Sequence, residues 1–221
     1  MDSSVVRAAA RDAFKLTSVS TPGWADPRPD GQPPDERDYE NCDDPGKFRI
    51  LAARAEAWMK ALTQTDLAEV EHLEAAPEQW RDLPEDFGQV IRTVRLRPRK
   101  PSSEPLLFGF GWLMGEPEAR VVIGAGDPAV VVGITPQCAC DACDLGSDIL
   151  LEDFDSAILN VVTGQLVHIT AERFVVHTSL HGGPVVSGEL TGMTTSRFEE
   201  MFAEARAGKS EYPVVYGSRW W

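Results

Sequence analysis

The sequence lacks the features of a membrane-spanning or exported protein. No run reaches the roughly 20 apolar residues that a helix needs to cross a bilayer. The first sixteen residues mix Arg7, Arg11, Asp12 and Lys15 with alanines, whereas a secretory leader places an uninterrupted apolar segment after its basic start. We therefore expect a cytoplasmic protein with no membrane partner.

Basic residues are scarce. The chain has 21 lysines and arginines against 35 aspartates and glutamates, a formal net charge of −14. Because cations that neutralise phosphates drive binding to nucleic acid, this balance predicts that nucleic acid is not a ligand. An acidic surface of this kind is compatible with a protein partner.

Cysteine is also scarce, but its distribution is uneven. The chain has four cysteines, which in a reducing compartment are expected as free thiols or metal ligands before disulfides. Cys138, Cys140 and Cys143 lie within six positions of a predicted loop, and three soft ligands in one loop can bind a single ion. We predict zinc, with Cys42 as the fourth ligand.

Other ligands and other thiol chemistry remain open at this point. Asp141, Asp144 or a histidine could replace Cys42 as the fourth ligand. A disulfide could instead join Cys140 to Cys143, or Cys138 to Cys42. The CxxC spacing of Cys140 and Cys143 also suggests redox chemistry, although the aromatic and proline neighbours usual in thioredoxin-like motifs are missing.

The hydrophobic pattern predicts an α+β fold, a mostly antiparallel sheet packed by two or three helices. Apolar residues recur every three or four positions, the helical period, at about 46–62, 146–163 and 196–207. Strands are expected near 88–100, 106–114, 119–124 and 129–134, whereas 67–73 fits either a helix or a strand. Residues 1–45 are predicted as a short helix plus an irregular, acidic, proline-rich arm, and 46–221 as a single domain.

A predicted strand near residues 93–99 exposes a row of arginines. Arg95, Arg97 and Arg99 alternate with the apolar Val94 and Leu96, the pattern of a half-exposed strand. The row could bind an anion or pair with acids of the same chain. We favour pairing with the chain's own acids because the surrounding charge is strongly negative.

A hairpin near the C-terminal third brings two histidines onto one face. A turn at Ala171 and Glu172 places His168 and His177 diagonally across two strands, roughly 7 to 8 Å apart at the backbone. Such a pair on an exposed sheet face is more often solvated than functional. It is still the second candidate for chemistry after the cysteines.

Several stretches together resemble a known family. They are Thr93 to Arg99, Gly124 to Val130, Cys138 to Asp144 and Leu166 to His168. In these the chain is similar to an uncharacterised actinobacterial domain-of-unknown-function family of the DUF6226 type, over about residues 46–170. The resemblance implies no catalytic or binding residue, because no function is established for that family.

Two hypotheses of function follow. The first is a non-catalytic binding or regulatory protein in which Cys138, Cys140, Cys143 and Cys42 hold structural zinc and the acidic surface meets a protein partner. The second is a metal-assisted hydrolase or thiol-dependent enzyme that uses the same loop together with His168 and His177. We favour the first, name no catalytic residue, and predict no cofactor besides zinc.

Overall fold

The computed structural model of the chain describes residues 2–181, 183–189 and 193–221. The helices of this described part are α1 Ser3–Thr17, α2 Ile50–Gln64, α3 Ser147–Val162 and α4 Thr195–Arg206. Its strands are β1 Ala68–Leu73, β2 Val90–Pro98, β3 Leu106–Leu113, β4 Glu116–Gly126, β5 Ala129–Thr135, β6 Val167–Thr170, β7 Phe174–Thr178, β8 Pro184–Gly188 and β9 Val214–Tyr216. None of these helices has the length and apolar character required to span a membrane.

The first sheet is a five-stranded antiparallel meander. Its strands lie in chain order from β1 to β5, as expected where consecutive strands are joined by short connections. In register, Val94 lies opposite Phe108 and Phe108 opposite Ile123. These apolar residues therefore share one face of the sheet, because alternate residues of a strand point the same way.

That face and three helices enclose the main core. Trp58, Phe108, Phe110 and Phe154 are among its largest fully buried side chains, and α1 contributes Val6 and Ala10. α1 packs along α2, and α2 and α3 lie against the sheet. Apolar burial on this scale is the main source of stability in a domain of this size.

One polar cluster is buried inside the main core. Asp155 of α3 accepts a hydrogen bond from Arg54 Nε at 2.8 Å and one from Trp58 Nε1 at 2.6 Å, and its second oxygen accepts from Arg54 Nη2. The Arg54 and Asp155 side chains are 6% and 9% exposed. The pair ties α2 to α3, and α3 leads directly out of the cysteine loop.

The opposite face of the first sheet is covered by the connection between β1 and β2. Trp80 and Phe87 of this connection lie in a second, small apolar cluster with Leu107 and Val122. A Cβ at Gly109 would lie 2.7 Å from the Trp80 ring, which explains why the strand has glycine at this position. This connection therefore covers part of the second face of the sheet.

A second antiparallel sheet follows α3 in the chain. Its order is β8, β7, β6, β9, and α4 packs on it through Phe198, Met201 and Phe202 against Val167, Ile169 and Val176. This is the apolar face that the hairpin pattern implies. Residues of β5 in the first sheet, of β7 in the second sheet and of α3 line a cleft described below.

The α+β prediction is confirmed, and three of the helices lie close to their predicted spans. The segment 67–73, left open between helix and strand, forms β1. The arginine row on β2 pairs with the chain's own acids: Arg95 with Asp127, Arg97 with Glu71 and Arg99 with Glu69. Each arginine of the row thus has an acidic partner in the same chain, and no anion ligand is needed to balance the charge of the row.

Candidate functional site

The cysteine loop, residues 136–146, connects β5 to α3 and brings three thiols together. A single 3-10 turn, Asp141–Cys143, folds the loop back on itself, and the Sγ atoms of Cys138, Cys140 and Cys143 all lie within 4.8 Å of one another. The closest pair, Cys138 and Cys140, is 3.2 Å apart. All four cysteines of the chain are free thiols, so neither disulfide considered above forms in this structure.

Asp144 fixes the end of the cysteine loop. Its carboxylate accepts from Trp24 Nε1 at 2.9 and 3.0 Å, from Lys47 Nζ at 2.6 Å and from the Gly146 backbone N–H at 2.8 Å. Burial acts to raise the pKa of Asp144, but the hydrogen bonds from Lys47 and Trp24 outweigh burial, so the pKa lies below its ordinary value. The carboxylate is therefore a charged structural anchor.

The segment before α2 holds the cysteine loop from the other side. Arg28 Nη2 donates to the carbonyls of Ala142 at 2.7 Å and Asp144 at 3.0 Å. The Asp141 N–H donates to the Asn41 carbonyl at 2.8 Å, and Asp141 Oδ2 accepts from the Asp43 N–H at 3.0 Å. Residues distant in sequence thus fix the loop backbone, much as hydrogen bonds to ligand residues orient them at metal sites.

The structure leaves the predicted fourth ligand out of the cluster. Cys42 is not among the ligand atoms within 4.8 Å of one another, and its side chain packs against the main core instead. Asp144 and Asp141 already accept hydrogen bonds from other parts of the chain. Three sulfur atoms therefore lie close enough to bind one ion, and none of the described residues places a fourth ligand atom beside them.

Two thiols of the cluster, Cys138 and Cys143, differ in acidity. Hydrogen bonds from Cys140, from its backbone N–H first, lower the pKa of Cys138 below its ordinary value. The hydrogen bonds that Cys143 makes to Cys140 and Cys138 hold its proton and raise its pKa to about 12. Burial raises the pKa of Cys42, and the charge of Asp141 adds to this shift. Within the cluster, Cys138 therefore ionises more readily than Cys143.

A cleft of about 520 Å³ opens beside the cluster. The three cysteines line it together with β5, α3 and the end of β7, and much of its wall is apolar, including Leu145, Ile149 and Leu180. His177 also lines this cleft, whereas His168 does not. The cleft is larger than a metal ion requires and has the size and apolar lining of a small-molecule site.

The histidine pair differs from the prediction in register and burial. The turn lies at Glu172 and Arg173, since the Ala171 N–H donates to the Phe174 carbonyl. His168 therefore lies directly opposite His177 instead of diagonal to it. The two rings are parallel within 5° with centroids 5.9 Å apart. His168 is fully buried, not solvated.

Asp82, which sequence patterns did not single out, faces the buried histidine. Its Oδ2 lies 3.5 Å from His168 Nε2, and its Oδ1 accepts from the Val131 N–H at 2.8 Å. Burial lowers the pKa of His177, and the hydrogen bond to the Thr178 carbonyl offsets this only in part. His177 is therefore neutral at neutral pH.

The sequence reasoning also missed the face of α3 that lines the cleft. Asp153, Ser156 and Asn160 lie there, and their spacing of three and four residues is the helical signal that could have found them. Ser156 Oγ is 3.2 Å from His181 Nε2. Burial raises the pKa of Asp153, the charge of Glu152 adds to the shift, and His181 opposes it.

Comparison with known proteins gives one match. A family model described as a family of unknown function, DUF6226, matches residues 10–221. The match includes the cysteine loop, the cleft and both sheets. No curated protein and no solved structure matches the chain.

Proposed function

Since the chain belongs to the DUF6226 family, whose function is unknown, we propose a function from its own site: a zinc-binding protein with an open coordination position. In this proposal Cys138, Cys140 and Cys143 bind the ion, and the fourth position faces the cleft. The observation that supports it is the convergence of three Sγ atoms within 4.8 Å of one another. Cys42 is not part of this ligand set.

The distances suit a zinc ion. Zn–S bonds of about 2.3 Å in a tetrahedral site put neighbouring sulfurs about 3.8 Å apart. Separations of 3.2 Å to 4.8 Å therefore need adjustments of about 1 Å or less. Thiolate ligands select soft or borderline ions, and zinc adds no redox chemistry of its own. A divalent cation also offsets the negative charge of three thiolates.

The open position determines what the site can do. Structural zinc sites are normally closed by four protein ligands, whereas sites that bind a further molecule keep one position for it. We propose a binding or regulatory role in the cytoplasm, in which a protein partner supplies the fourth ligand. The partly exposed apolar side chains of Leu145, Ile149 and Val185, which line the cleft, suit such a contact.

A second candidate is metal-assisted hydrolysis. The observation that favours it is that neutral His177 lines the same cleft as the cysteines, where it could accept a proton from a metal-bound water. Buried His168 lies outside the cleft lining and is not a candidate base. An enzyme of this class requires zinc, so loss of zinc binding would remove both candidates.

Elemental analysis of purified protein tests the zinc proposal. We expect one zinc per chain in the wild type and in Cys42→Ser, and less than a tenth of that in Cys140→Ser, because only the second variant removes a ligand. Cys42→Ser is the matched control, since the same chemical change is made outside the cluster. Equal zinc loss in both variants, or no zinc in the wild type after reconstitution, would refute the proposal.

The fold should survive loss of zinc, which separates an open site from a structural one. The three cysteines belong to none of the apolar clusters of the described residues. We therefore expect a chelator to remove the ion while the circular dichroism spectrum is retained. Unfolding on chelation would instead indicate the closed, structural site of the first sequence hypothesis.

A further inference from the structure

Asn160 carries a buried hydrogen-bond acceptor without a partner. The residue is 2% exposed, and its Oδ1 has no hydrogen-bond partner among the described residues. Its Nδ2 donates to the Thr178 carbonyl at 2.5 Å, and because a carbonyl can only accept, this bond fixes which side of the amide is oxygen. Asn160 lines the cleft, and a ligand that reaches this buried oxygen from the cleft would supply its missing hydrogen bond.

His177 offers a second acceptor beside Asn160. Its Nδ1 lies 3.2 Å from the same Thr178 carbonyl, to which it donates as a neutral ring. The other ring nitrogen, Nε2, then has a lone pair and no proton. The Asn160 and His177 side chains are thus held by one carbonyl oxygen, and both residues line the cleft.

The charge of the cleft defines the complementary ligand. The side chains that line it include Asp153 and no lysine or arginine among the described residues. Asp153 lies seven residues before Asn160, two turns along the same face of α3. Two acceptors and a carboxylate attract a positively charged group with several N–H donors. The apolar wall suits an alkyl chain attached to that group.

We propose that Asn160 and His177 form a recognition site for an alkylated guanidinium or primary ammonium group. The head group donates to Asn160 Oδ1 and His177 Nε2, and Asp153 balances its charge. The alkyl chain lies against the apolar wall towards the cysteine loop. This site goes beyond the proposed zinc function, since neither acceptor depends on the metal.

Titration with butylguanidinium, followed by the amide resonances of labelled protein, tests the site. Butyltrimethylammonium is the matched control ligand, because it has the same charge and alkyl chain but no N–H donor. We expect saturable shifts of Asn160, His177 and Thr178 with butylguanidinium, and binding at least tenfold weaker with the control. Equal binding of the two compounds, or no binding of either, would overturn the proposal.

Three variants separate the site from its surroundings. We expect Asn160→Leu and His177→Phe each to weaken butylguanidinium binding at least tenfold. His72→Phe, the same change at an exposed position of β1, should leave it unchanged. Either cleft variant alone is informative if the other fails to fold, and unchanged affinity in a folded variant would refute the assignment.

The same titration on Cys140→Ser distinguishes this proposal from the zinc proposal. This variant should lose zinc and keep butylguanidinium binding, because Asn160 and His177 are intact. Zinc binding without butylguanidinium binding in the wild type would refute the cleft site alone. Loss of ligand binding with loss of zinc would contradict its independence from the metal.

Discussion

A buried polar residue can make the stability of a protein sensitive to a single substitution, and Asp155 is the clearest case here. It is almost fully buried and accepts hydrogen bonds from Arg54 and Trp58. Removing one partner of such a pair leaves an uncompensated charge in the core, which typically costs 3–5 kcal/mol, whereas replacing both partners with apolar residues is often close to neutral.

Asp155→Ala is therefore expected to lower the free energy of unfolding by about 3–5 kcal/mol, measured by urea denaturation. The double variant Arg54→Met with Asp155→Leu should recover most of this loss. Glu152→Ala, an exposed position of the same helix, is the control and should change stability little. A loss below about 1 kcal/mol for Asp155→Ala would contradict the role of this ion pair.

His177 gives the protein a predictable dependence on pH. Because burial lowers its pKa in the folded state, the unfolded chain binds more protons below the ordinary imidazole pKa of about 6.5. The free energy of unfolding therefore decreases as the pH falls through this range, and the contribution is constant above it.

His177→Phe removes this contribution. Its unfolding free energy, relative to that of the wild type, should increase when the pH is lowered from about 7.5 to about 5.5. Above about pH 7.5 the difference between the two proteins should stay constant, which serves as the internal control. Parallel stability curves over the whole range would show that His177 is not buried as a neutral ring.

At the residue scale, the sequence predicted what depends on local spacing. Cys138, Cys140 and Cys143 are neighbours in sequence, so their convergence followed from the loop they share. Cys42 was assigned from residue type alone, and its side chain packs towards the main core instead. Asp82 and Asn160 acquire their roles from contacts with distant segments, which no local pattern records.

The elements around the cysteine loop act as its support. Trp24 and Arg28 lie between α1 and α2. Lys47 lies in the 3-10 turn Pro45–Arg49 just before α2, and all three residues bind the loop near Asp144. Hydrogen bonds from residues that do not bind the metal themselves orient the residues that do. Loss of such a bond typically lowers metal affinity by 10- to 100-fold. Residues far from the cysteines in sequence should therefore tune the metal affinity of the proposed zinc site.

Asp144→Asn tests this support without removing a ligand. It weakens the contacts to Lys47 and Trp24, so we expect zinc affinity to fall by about 10- to 100-fold in competition with a chromophoric chelator. Asp148→Asn, the same change on the exposed first turn of α3, should bind zinc like the wild type. Equal affinities of all three proteins would show that the anchor does not support the site.

The hairpin of β6 and β7 shows where element prediction fails. Its apolar residues Val167, Ile169 and Val176 lie on one face, as alternation along each strand requires. The turn lies one position later along the chain than predicted, and this shifts the pairing by two residues. When the pairing of two strands shifts by two residues, every side chain stays on the same face of the sheet. The hydrophobic pattern is therefore the same for the predicted and the observed pairing and could not distinguish them.

At the scale of the whole molecule, the cleft is lined by residues from both sheets and from α3. β5 of the first sheet, β7 of the second and α3 between them all contribute to its lining. Alternation and helical period were sufficient to predict the α+β class. They carry no information on how two separate sheets are arranged around α3, and for this reason the cleft could not be predicted.

The central claim is that three thiolates bind zinc and leave one position open to this cleft. X-ray absorption spectroscopy at the zinc edge measures the ligand set directly on the reconstituted protein. We predict three sulfur atoms at about 2.3 Å and one oxygen or nitrogen atom at about 2.0–2.1 Å. A shell of four sulfur atoms, which would require Cys42 to join, or a shell of oxygen and nitrogen alone would contradict the account.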